Sequence, residues 1–463
     1  MFDLRPLVWL DVVGLTPRLL EHAPRLGALG KAGSTRALGG VLPAVTCSAQ
    51  VTALTGETPS GHGIVGNGWF HRDTGEVRFW LQSNALIQAE TVYAAARRRA
   101  GERGLAFKAA KLFWWFNQGA PVDFSVTPKP HYGCDGSKVF AIHGRPTDLP
   151  ARLERALGPF PFPAFWGPGA GLDATRWIAR AAAQVLREER PTFTMVYLPH
   201  LDYDFQRRGP EAPGWADRVA EVDRAAGEVL DAAREVGAEV VAFSEYGIQA
   251  VERAVLPNRL LRRKGLLQVR DGPFGEMLDT YESDAVAVCD HQVAHVYTAG
   301  SKAHARSREV LEAQPGVARV LEGEARTEAG LDHPRAGDLV ALAERDAWFA
   351  YPYWLDEKRA PDFARTIDIH RKPGYDPCEL FLDPALRFPR LHVARRLLQK
   401  RLGFRTRFDV VPLDPSLVRG SHGVEPLHPE DGPVLVAEDP QASGRVASLR
   451  DLKQHALERM GLG

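Results

Sequence analysis

Three short apolar segments that suit buried strands each lead into an acidic side chain. Residues 7–10 precede Asp11, residues 192–199 precede Asp202, and residues 238–244 precede Glu245. A single acid after a strand is unremarkable, but three of them indicate a shared polar site. In open α/β sheets, ligands bind beyond the carboxyl ends of the strands. The sequence therefore predicts that these acids converge on one binding site.

Helical periodicity separates these segments. Residues 174–188 and 214–236 repeat apolar side chains at helical spacing, before and after the strand candidate at 192–199. Strand, helix and strand in this order favour a mostly parallel sheet with helices on both faces. The predicted fold class is therefore α/β. Because the acids are spread along the chain, we expect residues 1–463 to form a single domain rather than separate pieces.

Two regions differ from this pattern of buried strands separated by long helices. Residues 110–170 are rich in aromatic residues, proline and glycine, which predicts a loop-rich lid insertion. From about residue 285 to 400, short strand-like runs alternate with helices, which predicts a smaller subdomain within the same domain.

The composition excludes several classes of protein. The 463 residues include 58 Lys+Arg and 58 Asp+Glu, so the net charge is zero and general nucleic-acid binding is not expected. No apolar run reaches the roughly 18 residues of a membrane span, and the first residues lack a signal-peptide pattern. We therefore expect a cytoplasmic protein without a membrane partner. The four cysteines lie far apart, as buried free thiols do.

Thr46 is the first candidate for chemistry. It follows a strand-like segment and Pro43, and it begins a stretch that can be helical. A hydroxyl at such a turn can act as a nucleophile, because the amide groups of a helix N-terminus favour an anion. The alternative is that Thr46 only caps the helix, which is common for threonine. From Thr46 alone, the cap is the better interpretation.

A series of motifs carries a resemblance to a known family. In chain order they are LVWLDVVG at 7–14, LPAVTCSAQVTALTGETPSGHGIVGN at 42–67, LDYDFQRRGP at 201–210, FSEYGI at 243–248 and RGSHGVEP at 419–426. Together they resemble the alkaline phosphatase superfamily, and the type I phosphodiesterase/nucleotide pyrophosphatase branch most closely. The resemblance implies an alkaline-phosphatase-like α/β fold.

The resemblance implies a role for each matching residue. Asp11 matches a ligand of the first metal ion, and Thr46 matches the nucleophile, which also contacts that ion. Asp202 and His422 match ligands of the second ion, and Asn67 matches an amide that donates to a phosphoryl oxygen. Two divalent metal ions that activate a hydroxyl and neutralise phosphate charge make this set chemically coherent.

Three positions depart from the family pattern. Gln206 stands where a histidine ligand is expected, Glu245 replaces an aspartate, and Tyr246 replaces another histidine. One interpretation is a degenerate site that has lost its metals. The other is a working, oxygen-rich site, which favours Mn or Mg and leaves Zn possible. Its metal ligands would be Asp11, Thr46, Asp202, Gln206, Glu245 and His422, with Tyr246 and Asp204 as further candidates. We favour the working site, because Gln and Glu still offer oxygen ligands whereas decay tends to leave apolar residues.

For other polar residues, the sequence gives weaker support for a role in the site. Lys111 is predicted to reach a substrate phosphate while nearby Trp114, Trp115 and Phe116 stack on a planar leaving group, and some exposure of these consecutive rings is expected. The alternative is a core cluster with a lysine whose amine extends to its surface. Five histidines are more simply structural: His62, His200, His291, His295 and His370. Of these, His200 and His370 are candidates to replace a missing ligand, and an extended strand would put His200 on the face of Asp202.

These assignments lead to one main prediction and two alternatives. The resemblance implies metal-dependent hydrolysis of phosphodiester or pyrophosphate bonds in a small phosphorylated substrate, through a phospho- or nucleotidyl-threonine at Thr46. The first alternative is an inactive ligand-binding protein on the same scaffold. The second is a hydrolase of the carbon–phosphorus bond of a phosphonate.

Overall fold

The computed structural model describes residues 4–134, 138–404 and 406–463. The α-helices are α1 (Pro24–Ala32), α2 (Thr46–Thr55), α3 (Pro59–His62), α4 (Val92–Glu102), α5 (Leu149–Leu157), α6 (Leu172–Glu189), α7 (His200–Arg208), α8 (Trp215–Val236), α9 (Pro257–Arg263), α10 (Ser301–Glu312), α11 (Gly323–Glu328), α12 (Pro389–Arg401), α13 (Ala442–Arg445) and α14 (Leu452–Arg459). Short 3-10 helices lie at Arg18–His22, Asn84–Leu86, Phe162–Ala164, Glu357–Arg359, Asp362–Arg365, Pro377–Leu380, Pro415–Leu417, Pro429–Asp431 and Leu449–Asp451.

The strands are β1 (Leu7–Val12), β2 (Ser34–Ala37), β3 (Gly68–His71), β4 (Glu76–Phe79), β5 (Ala109–Leu112), β6 (Phe124–Pro128), β7 (His131–Tyr132), β8 (Lys138–Val139), β9 (Ile142–Arg145), β10 (Phe193–Leu198), β11 (Glu239–Phe243), β12 (Gln249–Ala250), β13 (Arg253–Val255), β14 (Gln268–Gly272), β15 (Gly275–Asp279), β16 (Ala285–Asp290), β17 (Val293–Thr298), β18 (Val317–Leu321), β19 (Leu339–Ala343), β20 (Ala347–Phe349), β21 (Gly420–Ser421) and β22 (Val434–Ala437).

The central layer is an eight-stranded sheet in the order β2-β22-β11-β1-β10-β5-β6-β9. Its middle strands, from β11 to β6, all run parallel. β9 is antiparallel to them at one edge, and at the other edge β22 is antiparallel to both β11 and the outermost strand, β2. Every residue of β1 and of β10 is buried, as expected for strands covered by helices on both faces. The mostly parallel sheet flanked by helices, predicted from the alternating pattern, is confirmed.

The register of β1 with its neighbours fixes the position of the polar edge. Asp11 lies opposite Tyr197 of β10 on one side and Phe243 of β11 on the other. The carboxyl ends of three adjacent strands therefore meet at one edge of the sheet. Glu245 follows β11 by two residues, and α7 begins two residues after β10.

Helices and aromatic rings pack against the sheet. The long helices α6 and α8 pack on each other, α6 against β10 and β5, and α8 against β1 and β11. Inside, the ring of Trp9 meets the rings of Phe193 and Phe243 edge-on. In the part of the chain that the structure describes, no helix is long and apolar enough to cross a membrane.

Much of the segment 110–170, predicted as a lid insertion, belongs to the central sheet instead. It supplies most of β5 together with β6 and β9, while residues 135–137 lie outside the described residues. These strands are only four or five residues long. The connections, rich in proline and aromatic residues, dominate the composition of the segment. The sequence pattern therefore did not indicate these short strands.

A second, four-stranded sheet lies within the region predicted as a smaller subdomain. Its order is β16-β17-β19-β18, and it has an apolar cluster of its own, including Val255, Leu311 and Phe349. The hairpin of β16 and β17 turns at His291 and Gln292, next to the polar edge of the main sheet. In this way the smaller sheet contributes residues to the same site.

Two expectations about individual side chains need correction. Cys47, Cys289 and Cys378 are buried free thiols, but Cys134 is exposed. The consecutive rings from Phe113 to Phe116 are almost all buried, and only Trp115 is half-buried. Positive φ angles of 64° at Phe113 and 54° at Phe116 turn the backbone out of a regular helix or strand, so neighbouring rings can face inward.

Candidate active site

Asp11 and Glu245 form a buried pair of carboxyl groups at the edge of the sheet. Asp11 is 0% and Glu245 1% exposed. Gln50 donates a hydrogen bond of 3.4 Å to Oδ2 of Asp11, but Oδ1 of Asp11 and both oxygens of Glu245 have no hydrogen-bond partner among the described residues. Burial raises the pKa of Asp11 to about 7. Burial, and then the neighbouring Asp11 charge, raises the pKa of Glu245 well above its usual value.

Thr46 is the first residue of α2, so its hydroxyl lies at the N-terminus of that helix. Its Oγ1 lies 3.0 Å from the phenol oxygen of Tyr246. Gln50, one turn further along α2, reaches Asp11 as described above. Thr46 is therefore linked to Asp11 through its own helix and to the Glu245 segment through Tyr246. The helix begins here without a side-chain cap, so Thr46 does not act as the N-cap.

Asn67 bonds to Asp290 and to the backbone N–H of Cys47 at the start of α2. The backbone N–H of Cys47 donates to Oδ1 of Asn67 at 2.9 Å. The Asn67 side-chain nitrogen donates to Oδ1 of Asp290 at 3.0 Å, and the Asn67 backbone N–H donates to Oδ2 at 2.7 Å. Burial raises the pKa of Asp290 to about 6. One N–H of the Asn67 amide is therefore directed to Asp290.

Asp202 and Gln206 lie one turn apart on α7 and bond to each other. Nε2 of Gln206 donates to Oδ2 of Asp202 at 2.7 Å, and Oε1 of Gln206 accepts a 2.9 Å bond from the phenol of Tyr375. The Tyr246 phenol lies 3.5 Å from Oδ1 of Asp202. Both polar atoms of Gln206 are therefore already engaged, and its amide carries a hydrogen-bonded bridge from Asp202 to Tyr375.

His422 stands in a continuous stack of four rings. Its ring centroid is 3.6 Å from that of Tyr246 and 3.7 Å from that of His291, and His291 is 3.8 Å from Tyr375. Nδ1 of His422 bonds the carbonyl of Ala44 at 2.7 Å, while Nε2 lies 3.5 Å from Oδ1 of Asp202. His291 takes part with a φ of 59°, in the left-handed region that such residues rarely adopt.

The buried oxygens that lack a hydrogen-bond donor are concentrated on the Asp11–Glu245 side of the site. No group of three or more His, Cys, Asp and Glu side chains in the described ranges is arranged to hold a metal. Asp11 and Glu245, however, leave three buried oxygens without a donor, and the helix that begins at Thr46 bonds Asp11 through Gln50. Oxygen atoms of this kind suit a hard cation such as Mg or Mn. Around Asp202, the hydrogen bonds of Gln206 and Tyr246 engage both carboxylate oxygens, whereas Nε2 of the neighbouring His422 has no hydrogen-bond partner among the described residues.

The remaining candidates lie in separate hydrogen-bonding environments. Lys111 is fully buried in β5, where its amine donates to the carbonyl of Phe116 at 2.9 Å and lies 3.5 Å from the Tyr93 phenol. Burial lowers the pKa of Lys111 to about 7. The prediction that Lys111 reaches a phosphate has no direct contact in its favour, because both partners belong to the core.

The predicted placement of His200 on a strand is wrong. Residues 200–208 form α7, and side chains two residues apart on a helix point in different directions. Nε2 of His200 lies 3.6 Å from Glu221 and 3.8 Å from Asp204, and not beside Asp202. His62, His295 and His370 lie within hydrogen-bond distance of Thr52, the Val65 carbonyl and the Phe79 carbonyl, respectively.

Four residues of the site were not anticipated: Gln50, Asp290, His291 and Tyr375. For two of them, the sequence contains a pattern that could have indicated a site residue. Gln50 is a polar residue one helical turn after Thr46, and Asp290 ends a strand-like run just as Asp11 does. The stacking of His291 and Tyr375 depends on a tertiary approach of distant segments, which no local pattern indicates.

Comparison with solved structures identifies the fold. The phosphonoacetate hydrolase of Sinorhizobium meliloti 1021, in complex with phosphonoacetate, superposes with a TM-score of 0.63 at 18% identity. An inactive threonine-to-alanine variant of murine ectonucleotide pyrophosphatase/phosphodiesterase 5, in complex with AMP, superposes with a TM-score of 0.59 at 13% identity. Each alignment covers 99% of this chain and 96% of the other. The fold is therefore alkaline-phosphatase-like.

The sequence itself matches a family model over most of its length. The match runs from residue 7 to residue 376 and includes every strand of the main sheet except β22. It contains Thr46, the Asp11–Glu245 pair and the α7 segment described above. The chain therefore belongs to the type I phosphodiesterase/nucleotide pyrophosphatase family of hydrolases.

Proposed function

We propose that this protein hydrolyses phosphodiester or pyrophosphate bonds of a small phosphorylated substrate, with Thr46 as the nucleophile. The observation that supports this most strongly is the position of the Thr46 hydroxyl. Thr46 is 5% exposed and begins α2, and its hydroxyl contacts Tyr246, the residue after Glu245. The same helix bonds Asp11 through Gln50, and three of the four oxygens of the Asp11–Glu245 pair have no donor among the described residues. The murine relative is inactive with alanine in place of a threonine, which points in the same direction.

The proposed reaction has two steps. Oγ1 of Thr46 forms a bond to phosphorus while the bond from phosphorus to the leaving-group oxygen breaks, and the leaving group departs with the proton of the threonine hydroxyl. Water then attacks the phosphorus, its oxygen stays on the phosphate, and one of its protons returns to Oγ1 as the bond to Thr46 breaks, so the overall reaction is hydrolysis. The Tyr246 phenol accepts a hydrogen bond from the threonine hydroxyl and directs its own O–H towards Asp202. These contacts hold Oγ1 in one orientation. The second N–H of the Asn67 amide remains for a phosphoryl oxygen.

Asp11, Glu245 and Thr46 are the residues that would hold a divalent cation. When bound, such an ion neutralises phosphate charge and favours the ionised form of the threonine hydroxyl. The all-oxygen ligand set favours Mn or Mg over Zn. The pair Asp11–Glu245 needs either a proton or a cation, because two adjacent buried carboxylates repel each other.

The test uses chelator-stripped protein and bis(p-nitrophenyl) phosphate as the substrate. We expect release of nitrophenol only after Mn or Mg is added, and no release from Thr46→Ala. Thr46→Ser is the matched control, since it keeps a hydroxyl at the same position and should retain measurable turnover. Metal-dependent turnover that survives in Thr46→Ala would contradict the assigned nucleophile.

Two other functions have specific support. The similarity to phosphonoacetate hydrolase favours a carbon–phosphorus substrate, and release of phosphate from phosphonoacetate, with no turnover of the diester, would select it. The hydrogen bonds that close the Asp202 side favour a ligand-binding protein without turnover. Folded protein that binds AMP in calorimetry, but hydrolyses neither substrate with any added metal, would select that alternative.

A further inference from the structure

One helix turns large apolar side chains away from the protein. Among the described residues, fifteen large apolar side chains are exposed, and six of them lie between residues 388 and 404. Each is more than half exposed: Phe388, Leu391, Leu397, Leu398, Leu402 and Phe404. The helix α12 carries three of these leucines, and Leu402 and Phe404 follow its last residue. Single exposed apolar residues are normal in a folded protein, but a cluster of six indicates an interaction surface.

The orientation of α12 is the reverse of that of an ordinary surface helix. Leu391, Leu398 and Leu402 are spaced at i, i+7 and i+11, which places them along one side of the helix, and that side faces solvent. The opposite side is fixed by polar contacts and by Val393, which packs against an apolar cluster. His392 lies within hydrogen-bond distance of Asp409, and Arg396 donates to the same carboxylate at 2.7 Å. The contacts to Asp409 therefore hold the helix with its leucine stripe facing outward.

The same segment concentrates positive charge. Residues 387–407 contain eight basic residues and no acidic residue, although the whole chain has a net charge of zero. Arg390, Arg395 and Arg401 are exposed on the helix, beside the leucine stripe. Apolar side chains flanked by arginine on one exposed helix are typical of helices that lie in the interface of a membrane.

We propose that residues 387–404, the basic apolar surface, bind the surface of a membrane that contains anionic phospholipids. The leucines and phenylalanines would enter the head-group layer, and the arginines would contact lipid phosphates. A nucleic acid matches the charge but leaves the apolar stripe in water. A second copy of this chain would bring two positive surfaces together, so charge complementarity favours the anionic membrane. The helix lies on such a surface and does not span it.

The test is flotation of the full-length protein with vesicles. One set is phosphatidylcholine alone, and the other contains about 30% phosphatidylglycerol, an amount that gives the vesicle a negative surface. We expect binding to the anionic vesicles only, and weaker binding at high salt because salt screens charge. Two triple variants, Leu391→Ser/Leu398→Ser/Leu402→Ser and Arg390→Gln/Arg395→Gln/Arg401→Gln, should each reduce the partition coefficient by about tenfold or more. Because the substituted residues are exposed, both variants should keep the unfolding temperature of the wild type.

A matched control distinguishes binding through this surface from nonspecific adsorption by exposed apolar residues. Phe274→Ser/Leu355→Ser/Leu427→Ser removes three exposed apolar side chains elsewhere on the protein, and it should float like the wild type. Absence of wild-type binding to anionic vesicles, or an equal loss in the control variant, would overturn the proposal. So would a dimer in sedimentation that the leucine variant abolishes without any vesicle binding. Thr46→Ala should float normally, so this result stands apart from the proposed hydrolysis.

Discussion

Tyr246 is the residue that most changes the chemistry of this site. Its ring lies flat against His422, with 7° between the two planes, and its phenol reaches Thr46. Burial, followed by the charge of Asp202, raises the pKa of Tyr246 well above its usual value, so the phenol stays protonated. A protonated phenol is a poor metal ligand but a good hydrogen-bonding group. Tyr246 is therefore a positioning residue for the Thr46 hydroxyl.

Replacing Tyr246 by phenylalanine tests this role. Tyr246→Phe keeps the ring stack and removes only the hydroxyl, so we expect an unchanged fold and KM with kcat reduced about tenfold, the size of one hydrogen bond. Steady-state kinetics on the diester substrate measure both constants. Tyr375→Phe is the matched control, because it removes a stacked phenol that bonds Gln206 rather than Thr46. Equal losses of kcat in the two variants would argue against a specific role for Tyr246.

Lys111 provides a prediction about stability and pH. Its pKa of about 7 in the folded protein, against a usual 10.5, corresponds to about 5 kcal/mol of unfavourable folding free energy at neutral pH. Between these two values the unfolded chain binds more protons than the folded one, so this penalty grows as the pH falls from 10.5 to 7. Lys111→Met has no such penalty, although it leaves the Phe116 carbonyl without its donor, which offsets about 1–3 kcal/mol.

We therefore expect Lys111→Met to gain stability relative to the wild type as the pH falls. The difference in the free energy of unfolding, variant minus wild type, should be larger by several kcal/mol at about pH 7 than at about pH 9.5. Urea unfolding at the two pH values measures this difference. Lys108→Met, an exposed position just before the same strand, should show no such pH dependence. A constant difference between Lys111→Met and the wild type would mean that Lys111 keeps its usual pKa in the folded protein.

At the scale of elements, α7 determines how the Asp202 side of the site is built. Asp202 and Gln206 are separated by four residues, so a helix brings their side chains to the same face. With glutamine at the second position the helix forms an internal hydrogen bond rather than a pair of free ligands. With histidine there, Asp202, the new imidazole and His422 would supply three ligand groups.

Gln206→His should therefore change the number of bound ions. After dialysis against Mn and removal of free metal, we expect about one Mn per chain in the wild type and about two in Gln206→His, measured by elemental analysis. Gln206→Asn serves as the control, since it keeps an amide and should not add an ion. Two ions in the wild type, or no gain in the histidine variant, would refute the interpretation that hydrogen bonds have closed the second position.

The elements of this fold were predictable to different degrees for physical reasons. β1, β10 and β11 are buried on both faces, so they appear in the sequence as continuous apolar runs, and the position of Asp11 follows from them. The strands β5 and β9 are short and surrounded by proline and aromatic residues, so their local signal is weak. His200 was misplaced because the chain changes from strand to helix within two residues of Leu198. The bond between Asn67 and Asp290 joins residues 223 positions apart, which local patterns do not reveal.

For the whole molecule, a cation held by the paired carboxyl groups would link metal binding to stability. A cation bound only by the folded protein stabilises it by about 2.7 kcal/mol when its concentration is 100 times the Kd. We therefore expect Mn or Mg to raise the unfolding temperature of chelator-stripped protein. Glu245→Gln should abolish the increase and, because it removes a buried acid, should itself be more stable than the metal-free wild type. Calorimetric scans with and without chelator measure both effects.

A matched control for this experiment is Asp223→Asn, which changes another buried acid on α8, away from the site. It should keep the full metal-induced increase of the wild type. An equal increase in Glu245→Gln and the wild type would place the stabilising cation elsewhere on the protein.

The position of β22 in the sheet has a consequence for how the protein is made. β22 lies between β2 and β11, so β2 joins the sheet only through a strand about 400 residues further along the chain. His422 comes from the segment just before β22. During translation, the ribosome must therefore add all the residues up to β22 before the sheet can close, and those up to His422 before the ring stack can form. A nascent chain acquires Asp11 and Thr46 early, but its complete site forms only after these later residues have been added.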